Sequence, residues 1–200
     1  MLVYSSTGAY QAGCRARLGR ACDGRFGFYR PELRTIFVNA SLGVTSVDHE
    51  MVHPIVQSDF PLAPLWWNEG LGALYERPVF DADGGVHGAT DFRLERLQAA
   101  LRSPRERGGV SLEALFAMSD EDFRAGDLEL HYAEARFACQ WLDEAEGGGR
   151  LWPMYRAWRD GARGDPTGEK AWAAVVGGTP AEATERWRAW VMGLRFVPGG

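Results

Sequence analysis

The chain has 200 residues, 46% of them hydrophobic, which suits one globular domain or one domain with a small helical extension. Its formal net charge of −5 argues against binding to nucleic acid or to an anionic membrane surface. No apolar run reaches the roughly 18 residues of a transmembrane helix, so we expect no membrane segment. Eight tryptophans are expected to lie mostly in the core or to line pockets.

The N-terminus and the cysteines bear on where the protein resides. The first ten residues lack the charged and apolar regions of a signal peptide, so we expect either a cytosolic protein or a trimmed piece of a longer, exported one. The cysteines Cys14, Cys22 and Cys139 form no C-x-x-C pair. Free, partly buried thiols are expected, and a Cys14–Cys22 bridge is the alternative if the protein is exported.

The first forty residues predict a small sheet with one helix. Strands are predicted at residues 2–5, 25–29 and 34–39, and a helix at residues 8–18. A turn at residues 30–33 joins the last two strands. Residues 35–38 have the highest β-propensity in the chain.

An H-E-x-x-H pattern follows at residues 49–53, HEMVH. Residues four apart lie on one helix face, so His49 and His53 can reach one ion at about 2.0–2.1 Å each. Glu50 is turned away from His49 by about 100° and in this pattern is a general base, which takes a proton from metal-activated water. The alternative is a helix with two ordinary histidines.

The helix is supported by the spacing of six apolar residues, which are Val44, Val47, Met51, Val52, Ile55 and Val56. Pro54 directly follows the second histidine. It removes the hydrogen bond to the carbonyl of Glu50, so we expect a kink just beyond the motif.

A second helix is predicted downstream, where Trp67, Leu71 and Leu74 recur at helical spacing and would bury one face. Gly70 and Gly72 are poor helix formers, and their expected use is a close approach of the two helices. The alternative is an amphipathic core helix with one partly exposed glutamate, Glu69.

Residues 67–73, WNEGLGA, resemble the W-x-N-E-G-x-A segment of gluzincin zinc metallopeptidases, the clan of thermolysin and the zinc aminopeptidases. With the H-E-x-x-H pattern, the chain looks most like the small bacterial peptidase MA-like domains. The resemblance implies that Glu69, sixteen residues after His53, is the third zinc ligand. A catalytic zinc has three protein ligands and an open position for water.

The same resemblance implies two further roles. Residues 34–39 would be an edge strand that binds an extended peptide by strand addition, the alternative being a plain core strand. Tyr132 would donate a hydrogen bond to the oxyanion of the tetrahedral intermediate, with His131 as the spare candidate. The alternative for Tyr132 is a core aromatic residue. A glycine-rich motif typical of aminopeptidases is missing, which argues against aminopeptidase activity.

Residues 79–90 are rich in Gly and Asp and predict a mobile surface loop at the mouth of the site. Asp81, Asp83 and Gly84 match half of a calcium loop whose remaining ligands are missing. His87 is interpreted as a solvated histidine and not as a ligand.

The rest of the chain predicts helices at residues 91–102, 127–146, 151–161 and 169–176. Ser111 and Ser119 are predicted N-caps. Residues 179–182, TPAE, open the last helix with a capping box and an N1 proline. Arg136 is interpreted as half of a structural ion pair, the alternative being a contact to a substrate carboxylate.

These observations predict an α+β fold with a small N-terminal β-sheet and zincin active-site helices in residues 1–90. A helical bundle in residues 91–200 would close the cleft, giving one catalytic domain. The predicted function is a zinc-dependent peptidase acting on a peptide or protein substrate, with Zn²⁺ on His49, His53 and Glu69 and with Glu50 and Tyr132 as catalytic residues. The alternatives are a zinc-holding peptide-binding module without turnover and a structural domain without metal.

Overall fold

The N-terminal region forms a three-stranded sheet with one helix against it. The computed structural model describes residues 1–43 and 47–197. The strands are β1 (Leu2–Tyr4), β2 (Gly27–Arg30) and β3 (Thr35–Asn39), and helix α1 (Thr7–Leu18) follows β1. β1 pairs in parallel with β3, and β2 pairs antiparallel with β3 on its other side. The predicted strands and helix of this region are confirmed within a few residues.

β3 is the central strand of this sheet, so the expectation that residues 34–39 form an edge strand is wrong. Ile36, Phe37 and Val38 are all buried, and Phe37 stacks on Phe28 of β2 at a centroid distance of 5.0 Å. A strand with side chains buried on both faces fits the middle of a sheet and not its edge. Within the described sheet, β2 is the edge strand that faces the next helix.

The two motif segments form the helices α2 (Val47–Asp59) and α3 (Leu65–Tyr75). α2 continues through Pro54 to Asp59. Its buried face carries His49, His53 and Val56, whereas Met51 and Ile55 are 47% and 65% exposed. Val44, which belonged to the predicted apolar pattern, lies outside the described residues.

A short hairpin follows α3, formed by β4 (Pro78–Phe80) and β5 (Val86–Gly88). The surface loop predicted over residues 79–90 thus contains parts of two short paired strands. Gly88 packs so closely on Leu74 that a Cβ atom at this position would collide with it. His87 is exposed but not merely solvated, because its ring nitrogens lie 2.7 Å from Asp81 and 3.3 Å from Asp143. The contact with Asp143 joins the hairpin to the helical part of the chain, whereas Asp81 lies in the hairpin's own turn.

Seven helices make up the rest of the described chain. They are α4 (Arg93–Arg102), α5 (Leu112–Ala117), α6 (Asp120–Arg124), α7 (Leu128–Glu144), α8 (Leu151–Gly161), α9 (Glu169–Val175) and α10 (Pro180–Gly193). Ser111 and Ser119 accept hydrogen bonds from the first turns of α5 and α6, so both predicted N-caps are confirmed. The capping box between Thr179 and Glu182 is also confirmed.

One large hydrophobic core joins α2 and α3 to the C-terminal helices, with α7 at its centre. Six of the eight tryptophans are almost fully buried, and they are Trp66, Trp67, Trp141, Trp158, Trp172 and Trp187. A Cβ atom at Gly70 would lie 2.7 Å from the carbonyl oxygen of Ala135, so this glycine lets α3 approach α7. The architecture is a mixed α+β fold with small sheets and a large helical part.

No helix among residues 1–43 and 47–197 is both long enough and apolar enough to span a bilayer.

Candidate metal centre

His49 and His53 lie one turn apart on the buried face of α2. Their ring centroids are 4.9 Å apart, and the two residues are only 8% and 9% exposed. The spacing of four residues places both rings on the same side of the helix, as expected from the sequence. Both Nε2 atoms point towards α3.

Glu69 of α3 meets these two nitrogens. One carboxylate oxygen, Oε2, lies 3.1 Å from Nε2 of His49 and 3.8 Å from Nε2 of His53. Donor atoms of the three residues all lie within 4.8 Å of one another. Two ligands at about 2.05 Å from a tetrahedral zinc are separated by about 3.3 Å, which falls between the two distances. The donor set of two imidazoles and one carboxylate therefore fits a single divalent cation.

Two polar side chains contact the histidines on their other nitrogens. Asn68 Oδ1 lies 3.1 Å from Nδ1 of His53, and Glu76 Oε2 lies 3.7 Å from Nδ1 of His49. An acceptor at Nδ1 keeps the proton on that nitrogen and leaves Nε2 free as a ligand. Neither role was predicted from the sequence, although Asn68 precedes Glu69 directly and Glu76 lies just beyond the end of α3.

Glu76 is held in turn by a buried ion-pair chain. Arg93 binds Glu76 at 2.7 Å and Asp91 at 2.5 Å, and Asp91 lies 3.2 Å from Nε of Arg136. Asp91 and Arg136 are 1% and 0% exposed. Arg136 is thus half of a structural ion pair, as predicted from the sequence. This series of ion pairs connects His49 to residues of α4 and α7.

Glu50 lies beside the cluster without joining it. Its carboxylate is 3.8 Å from Nε2 of His53 and accepts a hydrogen bond from the main-chain N–H of Tyr29 in β2. Burial raises the pKa of Glu50 above its ordinary value, against the opposing effect of His53 and His49. A raised pKa suits a group that must accept and then release a proton.

The pKa values of His49 and Glu69 are shifted in opposite directions, and each shift favours the charged form. Burial opposes protonation of His49, but hydrogen bonds to Glu69 and Glu76 outweigh it and raise the pKa of His49 to about 9. Burial also disfavours the charged form of Glu69, yet His49 and His53 lower the pKa of this carboxyl below its ordinary value. The negative charge of the two carboxylates favours a cation here, and a metal ion would compete with the proton on His49.

Tyr132 of α7 reaches the same cluster. Its hydroxyl donates a hydrogen bond to Glu69, and its ring centroid lies 6.4 Å from that of His49. The ring also packs against Phe123 at 5.4 Å. His131 is directed elsewhere, since its Nδ1 contacts the carbonyl oxygen of Phe123 at 2.9 Å. The structure therefore brings Tyr132, and not the spare candidate His131, to the cluster.

Gly72 makes room for the first ligand. A Cβ atom at this position would lie 2.9 Å from Cε1 and Nε2 of His49. Only a residue without a side chain lets α3 pass this close to the imidazole ring. The close helix approach predicted for the two glycines is thus found here for Gly72, whereas Gly70 faces α7.

Comparisons of the chain with protein-family models, with curated proteins and with solved structures found no match.

Proposed function

We propose that this chain is a zinc-dependent metallopeptidase of the gluzincin type, which hydrolyses peptide bonds at the cluster formed by residues of α2, α3 and α7. The observation that supports the proposal most strongly is the convergence of His49, His53 and Glu69, with Glu50 directly beside them. Two histidines from one helix and a glutamate from the next form the donor set of a catalytic zinc site.

The support behind the donors strengthens the proposal. Asn68 and Glu76 contact the outer nitrogens of the two imidazoles, as partners of ligating histidines do in metal sites. Nitrogen and carboxylate oxygen together suit zinc better than calcium or magnesium, which prefer oxygen alone. When bound, zinc would act as a Lewis acid that polarises the substrate carbonyl and lowers the pKa of water.

Glu50 is the proposed general base. It takes a proton from the attacking water and delivers it to the leaving amine, so that each turnover restores the carboxylate. Its hydrogen bond from Tyr29 N–H holds the side chain on the face of α2 that carries His53. A buried carboxylate with a raised pKa performs this transfer better than an exposed one.

Tyr132 is the proposed oxyanion donor. Burial and the nearby Glu69 raise the pKa of its hydroxyl, so the group stays protonated and can donate. Loss of such a donor typically costs about 2.7–4 kcal/mol of transition-state stabilisation. The hydroxyl already lies within hydrogen-bonding reach of Glu69, so a small rotation would direct it to a substrate oxygen.

We propose β2 as the peptide-binding strand in place of β3, because β3 is the central strand of the sheet. β2 is the edge strand next to α2, and its Tyr29 contacts the proposed base. An extended peptide could add to this edge through main-chain hydrogen bonds, which would place it across the cluster.

The test compares the wild-type chain with Glu50→Gln, and with Glu113→Gln as a matched control at an exposed position of α5 that does not belong to the cluster. Each is loaded with zinc and incubated with a broad peptide library. We expect Glu50→Gln to keep its zinc and to lose at least about a hundredfold in cleavage rate, whereas Glu113→Gln behaves like wild type. Full activity of Glu50→Gln would overturn the mechanism. Zinc and peptide binding without any cleavage by wild type would favour the binding module instead.

A further inference from the structure

A cavity of about 460 Å³ opens beside the candidate metal centre, between the start of α4 and the start of α7. Tyr132 lines it, and the hydroxyl of this residue reaches Glu69. Arg93 lines it too and binds Glu76 behind His49. Two residues of the cavity wall therefore connect it to the cluster: Tyr132 contacts Glu69 directly, and Arg93 contacts Glu76, the partner of His49. Its volume lies within the range of about 300–1,000 Å³ that is usual for ligand pockets.

The rim of the cavity is apolar and open to solvent. Phe92 and Leu128 line it and are 58% and 46% exposed. Arg93 already covers the Phe92 ring from one side, with its guanidinium carbon 4.7 Å from the ring centroid. Exposed apolar side chains at the mouth of a cavity favour a ligand with an aliphatic or aromatic portion.

The two arginines of the wall are fully engaged by carboxylates. Arg93 binds Glu76 and Asp91, and Arg96 binds Glu106 and Asp127 at 2.5 Å each. Each arginine thus contacts two carboxylates. Neither is available as a partner for an incoming anion, and the charge around each is negative.

The two glutamates of the wall are unengaged. Glu95 and Glu129 line the same cavity, and neither forms an ion pair with any residue in the described part of the chain. The cavity therefore combines two unpaired carboxylates with an apolar rim. This combination favours a ligand that carries a positive charge at the end of an apolar stem.

We propose that this cavity binds a basic side chain, lysine or arginine, of a peptide substrate at a position near the scissile bond. The inference rests on the proposed peptidase function, because it assigns that activity its substrate class. The stem of the basic side chain packs on Phe92 and Leu128, and its cation pairs with Glu95 and Glu129. An acidic side chain at this position is disfavoured by the same two carboxylates.

The test uses internally quenched peptides that differ only by arginine, citrulline or glutamate at each position in turn. Citrulline keeps the shape of arginine without its charge. At one position near the cleaved bond, we expect kcat/KM for arginine to exceed that for citrulline by about tenfold, since two exposed ion pairs give this magnitude. The preference should shrink at high salt, because exposed charges are screened.

Variants of Glu95 and Glu129 test whether the preference for arginine arises in this cavity. Glu95→Gln/Glu129→Gln should reduce the arginine-to-citrulline ratio to less than about twofold. The matched control Glu113→Gln/Glu169→Gln removes the same charge from exposed positions on α5 and α9 and should keep the full ratio. Equal handling of arginine and citrulline by wild type, or an unchanged ratio in Glu95→Gln/Glu129→Gln, would overturn the proposal.

A binding measurement distinguishes the absence of peptidase activity from the absence of a preference for basic side chains. Zinc-loaded Glu50→Gln is titrated with fluorescent versions of the same peptides, and binding is followed by anisotropy. The same preference for arginine is expected in the dissociation constants. If wild type cleaves nothing, the peptidase proposal fails, and this titration still decides whether the cavity selects a basic side chain.

Discussion

Asn68 and His53 form a contact of 3.1 Å between the side-chain amide oxygen and Nδ1, and this contact turns the opposite ring nitrogen towards Glu69. Asn68 and Glu69 are adjacent on α3, so one turn of this helix provides both a proposed ligand and the orienting group of another ligand. The geometry of α3 against α2 therefore sets two of the three proposed donors at once.

Asn68→Leu should weaken zinc binding without removing a ligand. Loss of the acceptor at Nδ1 frees the His53 ring to rotate, and such partners are typically worth about 10–100-fold in metal affinity. Competition with a chromogenic chelator measures the affinity. Asn68→Asp keeps an acceptor oxygen and should stay close to wild type. If Asn68→Leu and Asn68→Asp bind zinc equally, the contact has no orienting role.

Gly72→Ala should displace the His49 ring, because the added methyl group needs space that the ring occupies. Its new Cβ would stand 2.9 Å from the His49 ring, so the imidazole must move. We expect at least about a tenfold loss of zinc affinity, in line with other disturbances of ligand orientation. Gly8→Ala, in α1, meets nothing within 4 Å and is the control. Unchanged affinity in Gly72→Ala would show that the ring adapts at no cost.

Glu134 should make the protein less stable as pH rises. Burial raises the pKa of this carboxyl from 4.5 to about 8, with a further contribution from Asp127. Because the folded state holds the proton more tightly than the unfolded state, the free energy of unfolding falls between these two pH values. One of its oxygens is buried without a hydrogen-bond partner in the described part of the chain.

Denaturant unfolding across this pH range checks the effect. Glu134→Gln mimics the protonated form, so its stability should lack this slope and exceed that of wild type by about 2–4 kcal/mol at the alkaline end. A parallel pH dependence in both proteins would show that Glu134 does not titrate in this way.

Cys14 and Cys22 are bonded to each other, and Cys139 is a buried free thiol. This corrects the expectation of three free thiols and favours the alternative bridge. Alkylation of the unfolded protein should label one cysteine without reductant and three after reduction, as read by intact mass. Cys14→Ser/Cys22→Ser should lose about 2–3 kcal/mol of stability, because the bridge closes a short loop. Three labelled cysteines without reductant would contradict the bridge.

The local elements could be predicted from the sequence because their signals are local. The helices follow from apolar spacing and from caps such as Ser111, Ser119 and Thr179. The spacing of His49 and His53 likewise fixes their shared helix face. Glu69 was inferred from a resemblance, since nothing in its own surroundings shows that α3 turns it towards α2.

What the sequence did not reveal depends on contacts between distant segments. β3 is central because β1, more than thirty residues earlier in the chain, pairs with its second side. β4 and β5 have three residues each, too few to show a periodicity. The roles of Asn68 and Glu76 follow from the angle at which α3 packs on α2, which no pattern in either helix encodes.

Zinc stoichiometry shows directly whether His49, His53 and Glu69 hold a metal ion. Wild type and His53→Ala are incubated with zinc, dialysed against buffer without metal and examined by inductively coupled plasma mass spectrometry. We expect about one zinc per wild-type chain and almost none in His53→Ala, because two remaining donors hold the ion poorly. A wild-type chain that emerges without zinc, or a His53→Ala chain that retains the same amount, would contradict the proposed metal centre.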